Sequence, residues 1–219
     1  MQHQTAQISW RDGGVPVSDQ FDDPYFSLDD GLAETRHVFL AGNDLPGRAR
    51  GGFHIAELGF GTGLNFLATV QAWSGPGLLR FTSFEAYPMT AADMRAALDV
   101  WPELSQHAAA LLAAWPLTGP LTVGHVTLEL IVGDARATLP NWAEQADAWF
   151  LDGFSPAKNP ELWSPELMAE VGAHTKPGGT AATYTAAGDV RRGLQAAGFD
   201  VTRVPGFGRK RHMTRAVRT

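Results

Sequence analysis

Phe53-His54-Ile55-Ala56-Glu57-Leu58-Gly59-Phe60-Gly61-Thr62-Gly63-Leu64-Asn65-Phe66 is the stretch on which the fold turns. Residues 53–58 form a short apolar run and read as a buried strand. Residues 59–63 read as a glycine loop. Leu64, Leu67 and Val70 then follow at helical spacing, as do Phe66, Val70 and Trp73. Strand, glycine turn and helix form the opening unit of a sheet covered on both faces.

Outward from this unit the alternation repeats. Residues 79–84 read as a second strand ending in Glu85. Thr90 with Asp93 resembles a capping box at the start of an alanine-rich helix. Residues 102–115 predict another helix. Residues 126–132 alternate as a strand that ends at Gly133-Asp134, and 148–151 form an apolar strand ending at Asp152. Ser164-Pro165 fits an N-cap followed by proline at the first helical position. Residues 180–184 predict a strand, and 189–197 a helix stopped by Gly198. Residues 199–204 and 213–217 predict a closing hairpin. The expected fold is α/β: a Rossmann-like, mostly parallel, seven-stranded sheet with helices on both faces and an antiparallel C-terminal hairpin. Residues 1–50 read as an irregular extension, with one helix near 31–40, ahead of a single domain spanning 51–219. No internal repeat or low-complexity linker interrupts it.

Ligands of such sheets bind at the carboxyl ends of the strands. Four apolar strands here end in acids: Glu57, Glu85, Asp134 and Asp152. Packing alone does not account for that series. The glycine spacing G-x-G-x-G, through Gly59, Gly61 and Gly63, differs from the dinucleotide pattern G-x-G-x-x-G. It is also led by Glu57, which would repel a pyrophosphate. An acid there can hold a cationic amino group, which suits S-adenosylmethionine; a plain strand-to-helix turn is the competing reading. Glu85 stands where an acid grips ribose hydroxyls. Asp134 can accept from an adenine amino group, with Ala135 leaving room for the ring; a turn-forming Gly-Asp pair explains the same two residues.

Asp152-Gly153-Phe154-Ser155-Pro156-Ala157-Lys158-Asn159-Pro160-Glu161-Leu162-Trp163 puts an acid, an aromatic ring and a proline-stiffened loop at one strand end. Asp152 is the candidate to orient an attacking amine, and Phe154 to stack on a base. Trp163 reads better as a packing anchor.

The composition bounds these readings. The chain has 219 residues, 44% hydrophobic and 18% charged, which provides one sizeable core and argues against wholesale disorder. With no cysteine, disulfides, thiolate metal sites and a cysteine nucleophile are excluded. His37, His54, His107, His125 and His174 are scattered, so no metal is assigned. No apolar run is long enough to span a bilayer. Met1-Gln2-His3-Gln4 shows no secretion signal, and a cytoplasmic location is expected. The net charge of −6 speaks against a nucleic-acid partner. Its distribution speaks for one: Arg203, Arg209, Lys210, Arg211, Arg215 and Arg218 cluster in a tail free of acids.

The chain resembles the methyltransferase domain of the bifunctional tRNA 5-methylaminomethyl-2-thiouridine biosynthesis (MnmC-type) family and its stand-alone relatives. The resemblance covers nearly the whole chain. It rests on Phe21-Asp22-Asp23-Pro24-Tyr25-Phe26-Ser27, residues 57–66, residues 152–163 and Gly206-Phe207-Gly208-Arg209-Lys210-Arg211. It implies a class I methyltransferase fold, S-adenosylmethionine as cofactor, and methylation of the 5-aminomethyl group of a tRNA wobble uridine. It implies catalysis at Asp152 and Phe154. Cofactor contacts would come from Tyr25, Phe26, Glu57, Gly59, Gly61, Gly63, Asn65, Glu85, Asp134, Ala135 and Asp152. tRNA contacts would come from Phe154, Lys158, Asn159, Arg209, Lys210 and Arg211, and residues 1–50 would cap the site. The bifunctional relatives carry a flavin-dependent oxidoreductase domain, which is an expected partner. One departure is Ala86, where the family usually has lysine beside the strand-end acid. A small-molecule amine methyltransferase or an aminopropyltransferase-like enzyme would share the acid-led loop without needing a basic tail. A non-catalytic tRNA- or cofactor-binding module would not need the loop of residues 152–159. A nicotinamide dehydrogenase is disfavoured by the glycine spacing.

Overall fold

A computed structural model describes residues 4–11 and 13–219; Met1 to His3, part of the segment read for a secretion signal, lie outside them. The main sheet is built from β4 (His54–Leu58), β5 (Leu79–Glu85), β6 (Leu121–Val123), β7 (Val126–Val132), β8 (Ala146–Leu151), β9 (Thr175–Thr183), β10 (Phe199–Pro205) and β11 (His212–Arg218). Its order is β10-β11-β9-β8-β4-β5-β7-β6. The five central strands are parallel, and β11 and β10 close one edge antiparallel. All seven expected strands are present. The eighth, β6, folds back on β7 through Gly124 and adds a short opposite edge.

Helices cover both faces: α2 (Leu64–Ala72), α3 (Ala91–Leu98) and α4 (Ser105–Ala113) on one, and α5 (Ala135–Thr138), α6 (Pro165–Ala173) and α7 (Gly188–Ala196) on the other. Alternate side chains of a strand point to opposite faces, and β4 and β8 obey this. Ile55, Ala148 and Phe150 join the first core, whereas Ala56, Leu58, Trp149 and Leu151 join the second. Local chemistry sets the helix ends. Thr90 Oγ1 accepts from the Asp93 N–H at 3.1 Å, and Ser164 Oγ from the Leu167 N–H at 3.2 Å. Gly198, at φ +86°, ends the chain's path after α7.

The N-terminal residues are more regular than expected. β1 (Ile8–Arg11), β2 (Val15–Ser18) and β3 (Asp23–Pro24) form a separate antiparallel sheet. Gly13 and Gly14, both at positive φ, lie in the turn between β1 and β2. α1 (Gly31–Thr35) follows, with Asp30 Oδ1 accepting from the Ala33 N–H at 2.9 Å, and a π-helical turn (Arg36–Leu40) extends it. Leu32, Val38 and Phe39 pack into the first core, which fixes this segment beside α2.

Candidate active site

A cavity of about 650 Å³ opens at the carboxyl ends of β4, β5, β7 and β8. Its wall includes Gly59 and Gly61 from the loop after β4, Glu85 and Tyr87 after β5, Asp134 and Ala135 after β7, and residues 152–155 after β8. Tyr25, Phe26, Glu34 and Thr35 close it from the N-terminal segment, and Arg209 and Lys210 from the β10–β11 turn.

The glycine loop has specific steric causes. At Gly59 (φ +86°) a Cβ would stand 2.5 Å from the Asp152 carbonyl oxygen. Only glycine therefore lets the β4 and β8 loops touch. Gly61 presents its N–H to Glu85 Oε2 at 3.0 Å, and the Tyr87 N–H donates to Glu85 Oε1 at 2.7 Å. Burial raises the Glu85 carboxyl above its ordinary value, while N–H donors from Gly61, Tyr87, Phe60 and Ala86 act the other way. Gly63 packs against Phe60 and Leu111 at the start of α2, away from the cavity wall.

An acid cluster lies at the base. Asn65 Nδ2 donates to Asp152 Oδ2 at 2.8 Å and to Glu57 Oε1 at 2.9 Å. Ser83 Oγ donates to Glu57 Oε2 at 2.6 Å, and Thr35 Oγ1 to Asn65 Oδ1 at 2.8 Å. Glu57 is fully buried and does not reach the cavity wall. β4 points it into the protein on the side of Ile55, where it anchors Asn65 behind the cavity wall. Burial pushes its carboxyl up to about 8, against the donors Ser83 and Asn65. Asp152 is partly exposed at the cavity, with Oδ1 accepting from the Gly153 N–H at 3.0 Å. Burial of its carboxyl, opposed by Asn65, brings it up to about 7.

Phe154 stands among aromatics. The Phe21 ring stacks on it at 4.8 Å and Tyr25 meets it edge-on at 4.9 Å. Trp163 Nε1 donates to the Phe154 carbonyl at 2.8 Å, and the Tyr184 hydroxyl to the Gly153 carbonyl at 2.7 Å. The loop after β8 is thus held by its own tryptophan and by β9's end.

Other expected residues sit differently. Asp134 caps α5 and is forked by the Arg136 guanidinium, whose Nη2 lies 2.5 Å from Oδ2. That bond holds the Asp134 carboxyl below its ordinary value and commits it to a neighbour. Asn159 lines the cavity, its N–H bonded to the Ser155 carbonyl at 2.9 Å. Lys158 does not line the cavity. Its ammonium bonds the Asp22 carbonyl and, at 2.9 Å, Asp22 Oδ2, so it ties the loop to the N-terminal segment. Lys210 likewise turns inward, to Glu34. Arg209 faces the cavity, and Arg211 is exposed outside it. Glu34, Thr35 and Tyr184 were missed by the sequence reading. No local pattern marks them, because each reaches the site through long-range packing.

Comparison with known proteins agrees with this architecture. A family model described as S-adenosyl-L-methionine-dependent methyltransferase matches residues 102–219, which include Asp134, Asp152 and the terminal hairpin. The chain is 50% identical over 231 aligned residues to the tRNA 5-methylaminomethyl-2-thiouridine biosynthesis bifunctional protein MnmC of Vibrio cholerae. It is 47% identical over 227 to that of Stutzerimonas stutzeri. These alignments cover 95% and 97% of the chain but 34% of each relative, so the chain spans about a third of their length. The crystal structure of MNMC2 from Aquifex aeolicus superposes with a TM-score of 0.77 at 26% identity, covering 98% of this chain and 71% of that one. A precorrin methyltransferase from Geobacter metallireducens, at 13% identity and a TM-score of 0.55 over 96% of this chain and 100% of that one, shares the fold.

Proposed function

Since the chain belongs to the S-adenosyl-L-methionine-dependent methyltransferase family, we propose that it methylates the nitrogen of the 5-aminomethyl group of a (2-thio)uridine at the wobble position of tRNA. The observation that carries this reading is Asp152, held at a strand end by the Asn65 amide and the Gly153 N–H and opening on the cavity beside the Phe154 ring, where burial raises its carboxyl. High identity to the MnmC relatives supports the choice of acceptor.

The cavity fits the cofactor. Gly59 and Gly61 bring bare backbone to the wall, and Glu85 stands at the next strand end with its carboxylate already oriented by N–H donors. In this reading Glu85 takes the ribose hydroxyls, and the edge at Asp134 and Ala135 takes the adenine. Tyr25, Phe26 and Asn65 line the remainder. Glu57 and Gly63 act from behind, through Asn65 and through the start of α2. When bound, S-adenosylmethionine supplies a methyl group on a sulfonium, open to in-line displacement.

The acceptor is a primary amine, and its lone pair must be free. Asp152 accepts the proton that the amine gives up and faces the positive charge that develops on nitrogen. A carboxyl near 7 can both take and release that proton at neutral pH. Asn65 and the Gly153 N–H fix the two carboxylate oxygens, so the acceptor lone pair has a set direction. Phe154 supports the uracil ring from within the aromatic group, and Asn159 contacts the substrate nearby. Arg209 and Arg211 meet tRNA phosphates.

Residues 1–50 are proposed as the cap over a domain spanning 51–219. The proposed partner is a flavin-dependent oxidoreductase, fused or separate, that supplies the aminomethyl acceptor. Among the described residues no helix is long and apolar enough to cross a membrane, and a cytoplasmic site of action is proposed. The test is incubation of the chain with labelled S-adenosylmethionine and tRNA lacking the modification, followed by nucleoside analysis. Label in 5-methylaminomethyl-(2-thio)uridine is expected; label elsewhere, or none, contradicts the proposal.

A further inference from the structure

One cation of the basic hairpin, half-exposed, lies against the cavity wall. Lys210 Nζ donates to Glu34 Oε1 at 2.7 Å and stands 4.2 Å from the centre of the Tyr184 ring. The Glu34 side chain is 10% exposed. A carboxylate so enclosed needs a counter-charge, and it finds one 176 positions along the chain. α1 also touches the acid cluster directly, through Thr35 Oγ1 to Asn65 and Asn65 to Asp152. Glu34, Lys210 and Asp152 all line the cavity.

We propose that Glu34 and Lys210 are positioning residues that act on the methyl transfer through Asp152: an opposed pair of charges that pins the β10–β11 turn over the cavity and balances the field at that carboxylate. The inference rests on Asp152 being the proton acceptor proposed above. Titratable and charged groups face Asp152 from four places: Glu34 on α1, Lys210 in the turn, Glu57 on β4, and Tyr184 after β9. Glu34 raises the Asp152 carboxyl and Lys210 lowers it. Losing either member leaves the other uncompensated, so the two losses act on Asp152 with opposite signs. A pair that only fastened the hairpin would produce the same change whichever member was lost.

The experiment incorporates carboxyl-¹³C aspartate into the whole chain and identifies Asp152 by the signal absent from Asp152→Asn. The carboxyl is then titrated by NMR without substrate. Glu34→Gln should lower the Asp152 midpoint and Lys210→Met should raise it, each on the order of half a pH unit or more. The double variant E34Q/K210M should return toward the parent, and Lys210→Arg should keep the parent midpoint. Unmoved midpoints in folded variants, or two shifts of the same sign, overturn the proposal. If Lys210→Met does not fold, Glu34→Gln against Lys210→Arg decides: a fall in the first with no change in the second supports it, and any other pattern overturns it. The pH profiles of kcat on tRNA should move with the midpoints. Because the titration needs no substrate, a parent that fails to methylate tRNA counts against the proposed function and not against the charge pair.

Discussion

The side-chain amide of Asn65 bridges Asp152 and Glu57, at 2.8 and 2.9 Å. Both hydrogens of one NH₂ group are therefore spent on carboxylates. Hydrogen bonds to charged groups contribute roughly 1.5–3 kcal/mol each. Asn65→Leu keeps the branched shape and removes both, leaving two acids without their shared donor and the Thr35 hydroxyl without its acceptor. Urea unfolding at pH 8.5 should show a loss of at least about 2 kcal/mol. A loss below about 0.5 kcal/mol would show that the bridge does not hold the site together.

Glu57 makes stability depend on pH with a definite sign. Burial raises its carboxyl from an ordinary 4.5 to about 8 in the folded chain. The folded state thus holds a proton more tightly than the unfolded one. That contribution is complete below about 4.5 and is lost as the pH climbs through about 8. Glu57→Gln removes it, so the variant's stability should decline less than the parent's between pH 5 and pH 8.5. Parallel declines in denaturant unfolding would contradict this.

The loop contact at Gly59 can be separated from ordinary backbone strain. Gly59 and Gly178 both sit at positive φ, but a Cβ at Gly178 meets nothing within 4 Å, whereas at Gly59 it meets the Asp152 carbonyl. Alanine at Gly178 should cost about 1–2 kcal/mol from left-handed backbone alone. Alanine at Gly59 should cost more and should also weaken S-adenosylmethionine binding, because the loop after β8 must shift. Calorimetric titration and thermal unfolding of the two variants check this; equal effects would contradict it.

The parts of this architecture that depend on neighbours in sequence were legible in advance. Thr90 and Ser164 are short side chains with a turn of helix after them, so their caps follow from local geometry. The strand-end acids were legible because burial makes a polar residue after an apolar run conspicuous. Their directions were not, since a shift of one residue along β4 decides whether Glu57 faces the cavity or the core. Nor were Glu34 and Lys210, whose pairing exists only after α1 packs on α2 and the hairpin closes the sheet edge. The N-terminal sheet escaped because its strands are short, although Gly13-Gly14 between Arg11 and Val15 is a hairpin signal.

The hairpin cations and the cation held by Asp22 should differ toward tRNA. Phosphate contacts release counterions, so loss of one lowers the slope of log affinity against log salt by about one. Arg209→Ala and Arg211→Ala should each show that reduction. Lys158→Ala should leave the slope unchanged, because its ammonium is held by Asp22. Binding measured across a salt series distinguishes them, and a reduced slope for Lys158→Ala alone would reverse the assignment.

The most direct test of the account is the single-turnover rate of Asp152→Asn beside the parent, at saturating S-adenosylmethionine and unmethylated tRNA. Asparagine keeps the shape, and its amide can still meet Asn65 after a flip, but it cannot take the amine's proton. Folding and cofactor affinity should stay near the parent's, while methyl transfer should fall by roughly a hundredfold or more, the scale of a positioned acid–base group. A folded Asp152→Asn variant that binds both substrates and transfers methyl at the parent rate would contradict the claim that Asp152 receives the proton.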